Sequence, residues 1–294
     1  MRIHRTYGAL SAGVISISFA AVFIRLAGGA AASVAALRLI FSVLILLPFM
    51  IFSGSARRSI LSLGRGEKWL LLLSGFFLAL HFLSWIASLS LTGITSSIVF
   101  VTTSPIFIEL YSVVVKKERT SARVWIGIGL AVAGSVILGG GNIAAGGESW
   151  KGDLLAVGGA FAVACYFIVG SRLRPRLPLL GYIFPVYGAA ALFLVPASFL
   201  LGDGLTGLPA RVYVYCLVMA LVCQVAGHSL FNWALRKMNT TRVAMATLGE
   251  PIGTAMLAWM ILRETPMLSE MAGGAVILVG VFVVLTGDPL RVRA

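Results

Sequence analysis

Ten apolar runs of about 20 residues follow one another along this 294-residue chain, separated by short polar breaks. A helix needs about 20 apolar residues to cross the hydrocarbon core of a bilayer, which is roughly 30 Å thick. Charged residues make up only 11% of the chain, whereas soluble domains contain about 25%. Lipid offers no hydrogen-bond partners to open strands, so the sequence predicts an all-α integral membrane protein. The predicted spans 1 to 10 are residues 7–26, 34–52, 69–88, 95–115, 124–140, 152–170, 180–201, 212–234, 242–262 and 268–286.

The positions of the basic residues predict the orientation of these spans. All but five of the 23 lysines and arginines fall on one side of the predicted membrane. Cytoplasmic loops carry such an excess, so both termini are predicted to be cytoplasmic. The net charge of +13 does not indicate a nucleic-acid partner, because the basic residues lie in short clusters between apolar runs. The five exceptions are Arg25, Arg38, Lys151, Arg211 and Arg263.

The chain contains an internal repeat of about half its length. Residues 95–141 align without a gap with residues 241–287, so that Pro105 falls on Pro251. Self-similarity of this kind indicates a repeated structural unit. Because each unit has five predicted spans, the two units enter the membrane in opposite senses and form an inverted repeat. The two predicted units are residues 1–146 and 147–294.

Both halves contain motifs that occur in a known transporter family. They are Thr95-Ser96-Ser97, Pro105, Lys117-Glu118-Arg119 and residues 127–134 in the first half, and Leu248-Gly249-Glu250-Pro251, Arg263-Glu264 and residues 273–280 in the second. With these motifs, the chain resembles the EamA-type branch of the drug/metabolite transporter superfamily over nearly its whole length. The resemblance implies a ten-helix transporter of small organic metabolites such as amino acids, often an exporter, in the inner membrane of a bacterial cell. It also implies a central cavity shared by both halves.

Two glutamates lie inside predicted spans, where ionisable groups are costly and usually face the interior of the bundle. Glu250 is near the middle of span 9, beside Pro251, which weakens the local helical hydrogen bonding. It is interpreted either as a cavity carboxylate that takes a proton or a substrate amine, or as a buried group that positions the proline kink. Glu109 follows Pro105 by one turn and breaks the repeat, since Ala255 occupies the equivalent position. It is a second candidate for the cavity, with an interior ion pair as the alternative.

Polar side chains recur at a spacing of four residues in two further spans. Span 3 carries His81 and Trp85, and span 8 carries Gln224, His228 and Asn232. Residues four apart share one face of an α-helix, and a polar face is predicted to point away from lipid. We expect these side chains to bind an amino-acid-like or heterocyclic metabolite. The alternative is that they only form hydrogen bonds between helices.

Three further positions complete the predicted site. Tyr166 in span 6 is another candidate for the cavity wall. Arg38, near the external start of span 2, is interpreted as extending to the lipid headgroups or forming a structural pair, rather than attracting a substrate carboxylate. Pro105 and Pro251 are predicted to be the bending points of alternating access, in which one half rocks against the other around a fixed site.

The remaining observations limit the class of function. The sequence has no nucleotide-binding P-loop, so an ion or substrate gradient is the predicted energy source. The family resemblance implies export coupled to the inward flow of protons. Import and facilitated exchange stay open as alternatives to export. The loop carboxylates are scattered rather than clustered, which argues against an integral-membrane enzyme. No cofactor is predicted, and His81 and His228 lack companions at metal-ligand spacing. The sequence leaves open whether the protein is a monomer or a homodimer.

Overall fold

The structure, a computed structural model, describes residues 2–117, 122–144 and 149–286. Every regular element within these ranges is helical, in agreement with the predicted all-α class. Glu118, Arg119 and the predicted boundary between residues 146 and 147 lie outside the described residues.

The helices follow the apolar runs of the sequence. They are α1 (Arg2–Ser18), α2 (Ala20–Ala27), α3 (Ala31–Phe52), α4 (Gly54–Leu61), α5 (Arg65–Ser88), α6 (Ile94–Val101), α7 (Ser104–Val114), α8 (Ala122–Ala144), α9 (Ser149–Leu173), α10 (Leu179–Leu201), α11 (Ala210–Met219), α12 (Ser229–Ala234), α13 (Thr240–Ala246), α14 (Glu250–Leu257) and α15 (Leu268–Thr286). A 3-10 turn at Thr247–Gly249 joins α13 to α14, and π-helical segments follow α11 at Ala220–His228 and α14 at Ala258–Leu262.

Eight of the helical stretches that the structure describes are long and apolar enough to cross a membrane. They are Arg5–Ala27, Ala31–Phe52, Arg65–Ser88, Ile94–Val114, Ser149–Leu173, Leu179–Leu201, Ala210–Ala234 and Thr240–Leu262. Predicted spans 5 and 10 fall on α8 and α15, whose described apolar stretches are shorter, at Trp125–Gly134 and Leu268–Gly280. A multi-pass membrane protein is therefore confirmed, whereas the count of ten spans stays a prediction.

Several spans are composites of two shorter helices. Span 1 changes from α1 to α2 at Phe19, span 4 from α6 to α7 at Thr102 and Thr103, and span 9 from α13 to α14 through the 3-10 turn. At these breaks, hydroxyl side chains donate hydrogen bonds to backbone carbonyls of the preceding turn. Thr102, for example, donates to the carbonyl of Ile98 at 2.9 Å. Such bonds compete with the helical ladder and bend membrane helices.

The two prolines of the repeat lie directly after two of these breaks. Pro105 and Pro251 are the second residues of α7 and α14. A proline fits there because the first turn of a helix needs no backbone donor. The structure thus places both prolines at helix starts in the interior of their spans, and their role as bending points stays a prediction.

Small residues allow the helices to approach closely. A β-carbon added at Gly75 in α5 would lie 2.5 Å from the β-carbon of Ala189 in α10. One added at Gly134 in α8 would lie 2.6 Å from the carbonyl oxygen of Gly273 in α15. Close contact of backbones is the usual way in which helices associate in lipid, where no hydrophobic force drives them together.

Candidate functional site

A cavity lies between the two halves of the chain, where the composite spans meet. The space open to the centres of water molecules is about 40 Å³, enough for a few waters. Its apolar wall consists of Ile17, Ala20, Val101, Val163, Phe167 and Phe231. Its polar wall is formed by Arg38, His81, Trp85, His228 and Glu250, with the hydroxyl groups of Thr102, Ser104 and Thr247. Four of the predicted site residues are thus brought together: Glu250, His81, Trp85 and His228.

Glu250 presents its carboxylate to this cavity. It is the first residue of α14, and only 7% of its surface is exposed. Its side chain forms no hydrogen bond or ion pair with any residue that the structure describes. The charge of Arg38 in the same cavity acts on this carboxylate without bonding it. A buried carboxylate that no hydrogen bond holds is suited to take a proton or a cationic group of a ligand.

His81 is held in a fixed orientation beside Trp85. Its Nδ1 lies 3.0 Å from the carbonyl oxygen of Gly159 in α9. Because a carbonyl can only accept, Nδ1 carries the proton and Nε2 of the neutral ring remains an acceptor. The imidazole stacks on the indole of Trp85, with the ring centroids 5.8 Å apart and the planes 10° apart. The ring of His228 lies 6.4 Å from that of His81, so the two spans face each other across the site.

The predicted polar face of span 8 is not a single face in the structure. Of its three members, only His228 lines the cavity. Gln224 accepts a hydrogen bond from Arg38, and Asn232 donates to the hydroxyl of Tyr166 at 2.6 Å. The cause is the π-helical segment, in which hydrogen bonds join residues five apart rather than four. Gln224 and His228 therefore no longer share a direction, whereas Asn232 lies beyond the segment in α12. Binding of substrate by these three side chains stays a prediction.

Tyr166 and Glu109 do not line the cavity either. Tyr166 is fully buried and is joined to span 8 through Asn232. Glu109 is buried in α7, and Thr241 in α13 donates to its Oε2 at 3.4 Å. Both residues tie helices together, and their place in the substrate site stays a prediction.

Arg38 forms a buried pair with Gln224, in agreement with one of its two sequence interpretations. The side chain is completely buried and lines the cavity, so the interpretation that it extends to the headgroups was wrong. Its guanidinium carbon lies 4.2 Å from the centroid of the Phe82 ring, and its Nε donates to Oε1 of Gln224 at 3.1 Å. Arg38 is the eighth residue of α3, about 10 Å along the helix from its start, and this depth alone does not decide between the headgroups and the cavity.

The hydroxyl residues of the cavity wall were also missed. Thr102, Ser104 and Thr247 all lie at the breaks of spans 4 and 9, within four residues of Pro105 or Pro251. A serine or threonine just before a proline inside an apolar run was the signal that could have identified them. Among the described residues, no three His, Cys, Asp or Glu side chains come together in a way that could hold a metal ion.

Comparison with known families adds independent information. A model of the EamA-like transporter family matches residues 5–140 and again residues 150–286. The chain belongs to this family. As an EamA-like transporter, the protein is expected to move a solute across the membrane, and the family assignment alone names no solute.

Two proteins resemble this chain in sequence, and one solved structure resembles it in fold. Two proteins of Archaeoglobus fulgidus, each named an uncharacterized transporter, are similar in sequence. One is 27% identical over 234 residues, which is 74% of this chain and 76% of the relative. The other is 23% identical over 263 residues, 89% of each chain. One crystal structure matches 98% of this chain and 99% of its own with a TM-score of 0.70, and at 17% identity it shows a shared fold.

Proposed function

We propose that this EamA-family protein is a secondary active transporter that exports small organic metabolites, such as amino acids, by alternating access. We place it in the plasma membrane of a bacterial cell, the inner membrane where there are two. One observation carries the proposal: a cavity between the two halves is lined by the buried carboxylate of Glu250. Such a site can hold a solute at the centre of the protein and release it when a neighbouring helix moves.

The proposed architecture is ten spans in two inverted repeats of five, with both termini in the cytoplasm. The two separate matches to the family model support a division near residue 146. The breaks before Pro105 and Pro251 support the inverted repeat, because equivalent spans of the two halves are interrupted at equivalent positions. Transporters with inverted repeats commonly bind substrate at discontinuous helices near the middle of the membrane.

In the proposed mechanism, Glu250 links the movement of substrate to the movement of protons. A charged carboxylate is costly inside the closed site, so it has to be neutralised before the halves rock. A proton can neutralise it, and so can the ammonium group of a substrate, but not both at once. Substrate amine and proton would therefore cross in opposite directions. An inward proton gradient would then drive export.

Reconstitution into liposomes tests this mechanism. A panel of labelled amino acids is added outside the vesicles, whose interior is made acidic or alkaline in separate experiments. We expect accumulation with the acidic interior, because protons then leave as substrate enters. Glu250→Gln should abolish this accumulation but keep exchange down a substrate gradient. Glu67→Gln, which alters a partly exposed carboxylate paired with Arg176 at the surface, is the matched control.

Other outcomes distinguish the alternatives. Accumulation with the alkaline interior would mean co-transport with protons and hence import. Exchange that no pH gradient drives would mean a facilitative exchanger. If Glu250→Gln accumulates substrate as well as the wild-type protein, Glu250 is architectural. If the wild-type protein moves none of the panel under any gradient, the proposed substrate class is wrong.

A further inference from the structure

Unsatisfied polar atoms are concentrated around the cavity. Six buried side-chain nitrogen and oxygen atoms among the described residues have no hydrogen-bond partner, and they belong to Arg38, Trp85, Gln224, His228 and Asn232. Three of these residues line the cavity, and the other two bond to them directly. Most buried polar groups in native proteins are hydrogen-bonded, so such a cluster calls for a ligand that completes it.

The unsatisfied atoms are mainly donors. Both terminal nitrogens of Arg38 are free, as are Nε1 of Trp85 and Nε2 of Gln224. The orientation of the Gln224 amide is fixed, because its oxygen has to face the donating Nε of Arg38. Three of these donors belong to Arg38 and Trp85, which line the cavity. They predict a ligand group that is rich in acceptors, and the positive charge of Arg38 predicts that this group is an anion.

The geometry of Arg38 limits which kind of anionic group can bind to it. Phe82 supports one face of the guanidinium and Gln224 holds its Nε, so both the plane and the direction of the side chain are set. The two free terminal nitrogens form a fork that matches the two oxygens of a carboxylate. Of the arginines and lysines that the structure describes, only Arg38 lines the cavity, which fits a singly charged carboxylate better than a phosphate dianion.

We propose that Arg38 is the carboxylate-binding residue of the transport site and that the substrates of this protein carry a free carboxylate. The inference rests on the proposed transport function and specifies its substrate class. Glu250 in the same cavity provides the opposite charge, so a zwitterionic amino acid fits both groups at once. Arg38 recognises the carboxylate, and Glu250 takes the ammonium group or a proton.

Binding to the purified protein in detergent tests the inference without a gradient or turnover. Isothermal titration is carried out with the 20 amino acids, and each ligand that binds is compared with its carboxamide and with the amine that lacks the carboxylate. We expect Arg38→Gln to weaken binding by at least about 30-fold, as loss of one partner of a buried charged pair usually does. Replacing the carboxylate of the ligand should have a similar effect on the wild-type protein.

Two further variants keep the test decisive. Arg38→Lys keeps the charge but loses the two parallel donors of the guanidinium, so we expect binding to weaken by about 10-fold. This variant replaces Arg38→Gln in the test if Arg38→Gln does not fold. Arg176→Gln, at a side chain that is 74% exposed, should bind like the wild-type protein. Size-exclusion profiles confirm that each variant is folded and monodisperse.

The outcomes separate this inference from the proposed function. Carboxylate binding that depends on Arg38, without transport in liposomes, would support the site and contradict the transporter. Gradient-driven transport that Arg38→Gln leaves intact would support the transporter and overturn the carboxylate site. Carboxamides or amines that bind as tightly as the acids, or the absence of binding by any carboxylate of the panel, would also overturn it.

Discussion

The carboxylate of Glu264 accepts a hydrogen bond at 2.7 Å from the backbone N–H of Ile94, 170 positions away in the sequence. Ile94 is the first residue of α6, and Gly93 before it has no side chain that could cap the helix. Glu264 supplies that cap from the other half of the chain. We expect Glu264→Ala to lower the free energy of unfolding by about 1 kcal/mol, since it removes both the cap and a favourable charge at the helix start.

Thermal unfolding in detergent measures this effect. A thiol-reactive dye reports the transition, because the free thiols of Cys216 and Cys223 are buried in the folded protein. Glu264→Gln keeps an acceptor oxygen and loses the charge, so its melting temperature should fall between those of the alanine variant and the wild-type protein. Equal melting temperatures for all three proteins would show that the contact does not stabilise the fold.

Gly134 in α8 should not tolerate a side chain. A β-carbon there would lie 2.6 Å from the carbonyl oxygen of Gly273 and 2.8 Å from Ile277, so α8 and α15 would have to separate. We expect Gly134→Ala to cost about 1–3 kcal/mol, as overpacking of a tight interior does. Gly129 lies on the same helix with open space around its α-carbon. Gly129→Ala is therefore the control, and its melting temperature should not fall.

Tyr166 is predicted to stabilise the bundle without selecting the substrate. Its hydroxyl accepts from Asn232 between α9 and α12, away from the cavity wall. We expect Tyr166→Phe to cost about 0.6 kcal/mol, a typical value for a hydrogen bond between membrane helices. A double-mutant cycle with Asn232→Ala should give a coupling energy of similar size. A change in the order of preferred substrates would instead place Tyr166 at the ligand.

Glu109 should not be required for coupling to protons. It is buried in α7 but does not line the cavity, and Thr241 bonds its carboxylate. We expect Glu109→Gln to keep gradient-driven accumulation at more than about half of the wild-type level, in contrast to Glu250→Gln, because only a group in the cavity can exchange a proton for substrate. Parallel liposome assays of the two variants decide this, and loss of accumulation in both would contradict the distinction.

The sequence was sufficient to predict the spans and part of the site. Apolar runs predicted the helices because bilayer thickness sets their length. Glu250 and His81 could be found because a polar group inside such a run is costly unless it faces the interior. Neither signal depends on details of packing, so both could be obtained from the sequence alone.

The role of Arg38 could not be predicted in the same way. Span 2 is apolar almost all round, so no periodicity indicates which face of α3 points inward. The distance of Arg38 from the end of the helix suits both a side chain that reaches the headgroups and one that enters the cavity. Only the packing against Phe82 and Gln224 decides between them.

The different directions of Gln224 and His228 were hidden for another reason. The π-helical segment Ala220–His228 contains no proline, and its apolar pattern does not distinguish it from a regular α-helix. Its wider turn can be seen only in the backbone coordinates. A prediction based on α-helical spacing therefore placed Gln224 on the same face as His228.

The π-helical segment also affects how span 8 would respond to a change in chain length. A deletion in a regular helix rotates everything beyond it by about 100° and shortens the span. In Ala220–His228 the loss of one residue could restore an ordinary turn while the ends of the helix remain in place. The variant would still cross the membrane and pack against its neighbours, but a different side chain would face Arg38. A single codon lost from this segment is thus a short genetic route to an altered substrate.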